Sequence, residues 1–166
     1  MRRFALGLFF GVLTAALVFL FAVVVGAFKI EADVPPLRID GRLAKQAFNA
    51  SIRRIPAEQN PYRVDDAFLL EGLKLFRSGC AGCHGEYSKP SDWGSRHFYP
   101  PAPQFGEAPP RRTEAEIFYI VQHCIRYSGM GGWSGLMNKE QTWKVARFLS
   151  RLDDLPPQVA AEWRKQ

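Results

Sequence analysis

Cys80-Ala81-Gly82-Cys83-His84 is the stretch around which the remaining residues fall into place. Two cysteines two residues apart, followed at once by histidine, read as a site of covalent haem attachment. Each thiol adds to one vinyl group of the porphyrin, and the next residue offers imidazole to the iron from one side of the same ring. A thioredoxin-like redox pair has no use for His84. No second pair of ligands at zinc spacing follows, so half of a zinc site is also a poor fit.

Downstream, the sequence supplies what such a site needs. A ligating histidine normally gives its second ring N–H to an acceptor, and Pro100-Pro101-Ala102-Pro103-Gln104-Phe105 offers carbonyls with no local N–H beside them. Pro103 is favoured slightly over Pro101. Ser128-Gly129-Met130-Gly131-Gly132-Trp133 places a methionine among glycines, badly placed for packing and well placed to swing a thioether onto iron. Met130 is therefore the candidate second axial ligand, ahead of Met137 and Met1. His97, in a polar loop, and His123, on a side face of a helix, read as solvent-facing. Cys124, the third cysteine, has no partner for a disulfide and reads as a small buried hydrophobe.

Helical signals flank the motif. Asp65 or Asp66 caps a helix whose apolar face, Phe68, Leu69, Leu73 and Phe76, runs into Cys80. Gly72 on that face costs about 1 kcal/mol relative to alanine, which predicts another helix crossing close to its backbone. Thr113 and Glu116 form a capping box ahead of Ile117, Ile120, Val121 and Cys124. The stretch from Gly85 to Arg112 has no sustained period and is expected to be a loop over one haem face.

The N-terminus carries a different signal. From Phe4 to Phe28 the chain has no charge, and about 20 apolar residues suffice to cross a bilayer. A cleaved signal peptide has an apolar core of only about 7–15 residues, so a retained single-pass anchor is expected. Arg2 and Arg3 put its N-terminus in the cytoplasm. Gly7 and Gly11 make a weak helix-packing pair. The division expected is 1–28 anchor, 29–62 connector, 63–155 haem domain and 156–166 tail, with a short terminal helix. In the connector, Pro35-Pro36 stiffens the start and Asn60-Pro61 marks the end. Ile39, Leu43, Ala47 and Ala50, with Phe48 as a further candidate, recur between them at roughly helical spacing among Arg38, Arg42, Lys45, Arg53 and Arg54. Such a basic amphipathic stretch suits lipid headgroups, a partner subunit, or light packing on its own domain.

The formal charge of the 166-residue chain is +6 and its pI is near 9.5, with no dense basic run. Nucleic acid is not an expected partner. Leaving out Arg2 and Arg3, 20 basic face 16 acidic groups, an excess that steers encounter only weakly at physiological salt.

Taken together, the residues from about Val64 to Leu152 resemble the class I cytochromes c, in particular their bacterial membrane-anchored single-haem members. The resemblance rests on the helix with Gly72 and Phe76 before the cysteine motif, the Pro-Ala-Pro-Gln-Phe loop, Ile125 to Met130 before Trp133, and Trp143 to Leu149. It implies an all-α shell around one haem c, bound through Cys80 and Cys83, with His84 and Met130 on the iron. Gly72 and Phe76 would meet Val145 and Phe148 where the first and last helices cross. It further implies an electron carrier rather than an enzyme, held at the cytoplasmic membrane with its haem domain on the periplasmic side. Such a carrier links a quinol-oxidising complex to a terminal oxidase or reaction centre, or forms part of one. A ligand-binding sensor or peroxidase-like enzyme is the alternative if the methionine is labile. Two departures stand out. The family often has proline where this chain has Gly131, and glycine where it has Cys124.

Overall fold

A computed structural model describes residues 2–28, 38–56 and 58–165. The Pro35-Pro36 pair lies outside the described residues, as do the side chains of Arg38 and Ile39. The chain forms two units, dividing after Glu31.

The first unit is one helix, α1 (Arg2–Val24), whose side chains are almost all exposed and almost all apolar. At 23 residues it is about 35 Å long, enough to cross a bilayer core of about 30 Å. Gly26 ends it: with φ +68 it turns left-handed, its N–H meets Val23 O at 3.1 Å, and Ala27 N–H meets Ala22 O at 2.9 Å. That pair of bonds is a Schellman motif, and it satisfies carbonyls the helix would leave bare.

The second unit is all-helical among the described residues: α2 (Arg38–Ile52), α3 (Asp66–Gly79), α4 (Ala81–His84), α5 (Asp92–Arg96), α6 (Glu114–His123), α7 (Lys139–Ser150) and α8 (Pro157–Arg164). The only β pairing among these residues is an isolated bridge between Glu86 and Lys89. The start signals read from the sequence act as caps. The Asp65 side chain accepts from Phe68 N–H at 2.9 Å, and Thr113 with Glu116 closes a reciprocal box. A second box, Asn138 with Gln141, opens α7.

The core forms where α3 crosses α7. Gly72 is buried against the Lys144 carbonyl and Phe148 Cβ, so closely that a Cβ at Gly72 would overlap that carbonyl. Val145 and Phe148 are fully buried, and the Phe76 and Phe148 rings lie 5.9 Å apart. Helix α6 adds Phe118, stacked on Trp143 at 4.0 Å. The C-terminal residues, read above as a tail, add Val159 and Trp163 to the core, with the indole edge-on to Phe76 and Phe148. Full burial of each such side chain contributes about 1.5–3 kcal/mol. Arg77 locks α8 down: its Nη2 donates to the carbonyls of Glu162, Trp163 and Lys165 at 3.1, 3.3 and 2.6 Å, while Nε donates to Glu86 at 3.0 Å.

One sequence reading needs correction. Cys124 is not a buried helical hydrophobe but the half-buried C-cap of α6, with φ +67 and ψ −179. That backbone region is essentially reserved for glycine, because Cβ crowds the neighbouring peptides there. In the connector, Leu43, Ala47 and Ala50 face solvent, whereas Ile52 is buried and Phe48 half-buried.

Candidate functional site

Helix α3 delivers the cysteine motif. Cys80 is its C-cap, with its N–H on Phe76 O at 2.7 Å, and the chain rewinds at once into the single turn α4, with His84 N–H on Cys80 O at 2.9 Å. Gly85 stops that turn at φ +71, so both thiols and the imidazole come from one coil of backbone. Just before it, Gly79 lies under the Trp133 indole, where a Cβ would sit 2.8 Å from the ring. Trp133 thus brings the methionine loop to the motif.

The imidazole is held from two directions. His84 Nδ1 lies 2.9 Å from the Pro103 carbonyl. A carbonyl can only accept, so Nδ1 carries the proton and Nε2 keeps its lone pair. The ring stacks on Phe105, centroids 4.6 Å apart and planes within 7°. Burial lowers the His84 pKa below the usual value, against a smaller upward pull from the Pro103 bond. Burial favours the neutral imidazole a metal ion requires, and the Pro103 bond selects the tautomer that leaves Nε2 free.

Gln104 and three glycines hold this side together. Gln104 Oε1 accepts from Ser91 N–H at 2.7 Å, and its Nε2 donates to Cys83 O at 3.0 Å and Ala102 O at 2.8 Å. Ser91 Oγ donates to Gly82 O at 2.5 Å. Gly94 rests on the Cys83 carbonyl, Gly106 on that of Glu86, and Gly85 against Gln104 and Lys89, all too close for a Cβ.

On the other side, Met130 is half-buried at the edge of the core, and its N–H donates to Ser128 Oγ at 3.2 Å. Tyr127, at φ +61, is 91% exposed. Nothing stands within 4 Å of where a Cβ on Gly131 would be. Met137 is instead a buried core residue. His97 and His123 are exposed, each lying on an aromatic neighbour, Trp93 at 5.0 Å and Tyr119 at 4.4 Å.

The donor chemistry fits haem better than the other cofactors weighed above. Burial, aided by neighbouring Cys83, pushes the Cys80 thiol up to about 12, whereas a thiol–disulfide catalyst needs a lowered thiol pKa. Among the described residues no three His, Cys, Asp or Glu side chains gather as a metal-binding group. Two uncommitted thiols, a neutral imidazole with one free nitrogen and a half-buried thioether on the loop packed across Gly79 remain.

Sequence reading missed Phe105 and Gln104 as supports of His84, although both stand in the Pro-Ala-Pro-Gln-Phe run, and it missed Arg77. Their partners are 9–88 positions away in the chain, and no local pattern announces them.

A family model described as cytochrome c oxidase, cbb3-type, subunit III matches residues 67–149. No curated protein and no solved structure matches the chain. The matched span runs from the start of α3 to the end of α7 and so contains both sides of the site and the helix crossing that carries it. The chain belongs to this family of cytochrome c domains, and its all-helical second unit is the haem-binding domain the family implies.

Proposed function

We propose that this protein is a membrane-anchored mono-haem cytochrome c that carries single electrons between membrane redox complexes, as a subunit of a terminal oxidase or a donor to one. Cys80 and Cys83 would hold the haem through thioethers, His84 Nε2 and the Met130 sulfur would hold its iron, and Pro103 would orient the imidazole. The observation that carries this reading is His84: on the same turn as both cysteines, its Nδ1 is committed to Pro103 O at 2.9 Å and its Nε2 is left to bind.

Haem supplies a one-electron couple, and histidine–methionine ligation raises its potential relative to more basic ligand sets. The chain does the rest. Pro103 and Phe105 fix the His84 ring, so the imidazole has little to rearrange when the electron arrives or leaves. Gln104 and Ser91 hold the Cys83 and Gly82 carbonyls, keeping the attachment turn in place. Held by both His84 and Met130, the iron would be closed to small molecules. Helix α1 anchors the domain in the cytoplasmic membrane, with the haem on the periplasmic side, and holds it at high effective concentration near other membrane complexes.

The test is covalent attachment. Membranes expressing the protein should give a haem-staining band that survives denaturing electrophoresis, and the Cys80→Ser/Cys83→Ser variant should lose it. Haem that leaves the wild-type chain on denaturation would contradict the assignment. A second reading, a ligand-binding sensor or peroxidase-like enzyme, draws on the methionine loop, where Cys124 and Tyr127 are held at positive φ. It requires Met130 to leave the metal.

A further inference from the structure

Helix α2 has two apolar sides, and the fold uses one. Inward, Ile52 is buried, and Phe48 lies under the Arg112 guanidinium at 5.1 Å, whose Nη2 donates to Asn49 at 2.5 Å. On the opposite side Leu43, Ala47 and Ala50, spaced i, i+4, i+7, form a stripe that is exposed throughout, Leu43 to 58%. Arg42, Lys45, Arg53 and Arg54 are exposed along the same helix and its last turn. None of the four pairs with an acid among the described residues; Arg53 Nε reaches only Asn49 O at 3.4 Å. From 38 to 56 the sequence has five basic residues and one acid, Asp40.

We propose that this outward face of α2 docks on the anionic lipid headgroups of the membrane that α1 enters. The proposal rests on the membrane-anchored reading above. A small apolar stripe flanked by arginines is the chemistry of a helix lying in the headgroup layer, the stripe touching the acyl boundary and the guanidinium groups the phosphates. Leu43 with two alanines buries too little apolar surface to hold alone, so attraction to anionic lipid dominates and salt weakens it. The tether makes this lipid the occupant. Residues 25–37 alone separate α1 from α2, a span of at most about 45 Å fully extended, so the tether lets the cationic face reach the bilayer surface and no long excursion from it.

The experiment uses the full haem-loaded chain in nanodiscs of phosphatidylcholine alone or of phosphatidylcholine with phosphatidylglycerol. A neutral acylating reagent labels lysines, and mass spectrometry of a Gln46→Lys variant reads position 46, exposed beside Leu43 and Ala50 on the outward face, against Lys89, an exposed lysine of the haem domain. Position 46 is expected to label roughly five-fold more slowly in the anionic discs, with Lys89 unchanged. High salt, or R42Q/R53Q/R54Q added to that variant, should restore its labelling. Equal labelling in both lipids, with the protein still co-eluting with the discs, overturns the lipid contact and leaves the anchor standing. Slow labelling in both lipids and in detergent overturns it too, because protein then covers the face. Protein that elutes apart from the discs overturns the anchor and the proposal together.

Discussion

The two sides of the candidate site are built in opposite ways. Around His84 the chain is tightly constrained: three glycines touch carbonyls or a side chain at distances that exclude a Cβ, Gln104 bonds to three backbone groups, and the ring is fixed by Pro103 and Phe105. Around Met130 the chain is a strap. Gly131 has open space beside it, although Gly129 packs on the Phe98 ring; Ser128 holds the methionine N–H at 3.2 Å, and two non-glycine residues, Cys124 and Tyr127, occupy left-handed backbone. Of the two proposed ligands, His84 is pre-organised by the fold, while Met130 is held by a strained segment. On that assignment, Met130 is the first place the site would fail.

The largest effect should come from filling the tight side. Gly94→Ala would drive a Cβ into the Cys83 carbonyl, and we expect a loss of about 3 kcal/mol or more, read as a lower urea midpoint and reduced haem incorporation. Gly72→Ala should cost a similar amount through the Lys144 carbonyl, outweighing a helix-propensity gain of about 1 kcal/mol. Wild-type midpoints in both variants would remove the close helix crossing and the tight packing around the attachment turn from this account.

On the strap the sign reverses. Cys124→Gly should stabilise by about 1 kcal/mol, because relief of about 1–3 kcal/mol of backbone strain exceeds the entropy glycine adds to the unfolded chain. The urea midpoint rises with unchanged slope. A drop instead would mean that the thiol packs better than its half-buried position indicates. Tyr127→Gly should gain less, a few tenths to about 1 kcal/mol, since its 91% exposed side chain gives up no packing.

The smallest effect lies at the helix crossing itself. Lys144 Nζ sits 2.5 Å from Glu71 and 2.6 Å from Glu140, and the hydrogen bonds it donates to those carboxylates, Glu140 first, hold its pKa above the ordinary lysine range. A raised folded pKa gives stability that is present below the unfolded value of about 10.4 and is lost as pH climbs through the folded one. Both acids are about half exposed, so Lys144→Met should cost under about 1 kcal/mol at neutral pH. It should also flatten the alkaline limb of the stability curve; an unchanged limb would mean the pair contributes nothing.

What the sequence disclosed follows the range of the interactions involved. The cap at Asp65, the box at Thr113 and Glu116, and the crossing at Gly72 were legible because each leaves a local mark: a polar residue three before its partner, or a glycine where a helix should resist one. The cysteine motif is likewise confined to five residues. Helix α5 was hidden inside a loop because five residues show no period. Phe105 and Gln104 were hidden because their partners are remote. Cys124 misled because spacing put it on the α6 face, whereas the helix stops at His123 and Cys124 turns left-handed. The α2 stripe was legible as an amphipathic pattern, but the sequence holds two apolar sides, and periodicity alone does not say which one the domain takes.

The measurement that bears most directly on the central claim is the optical spectrum of the oxidised and reduced protein in detergent, with carbon monoxide added to each reduced sample and Met130→Ala run alongside. A closed His84–Met130 site predicts a low-spin spectrum with a methionine–iron charge-transfer band, no response of the wild type to carbon monoxide, and ready binding by the variant. Wild-type protein that binds carbon monoxide as the variant does would contradict it, and the strap at Met130 would then be a gate to the metal rather than a ligand.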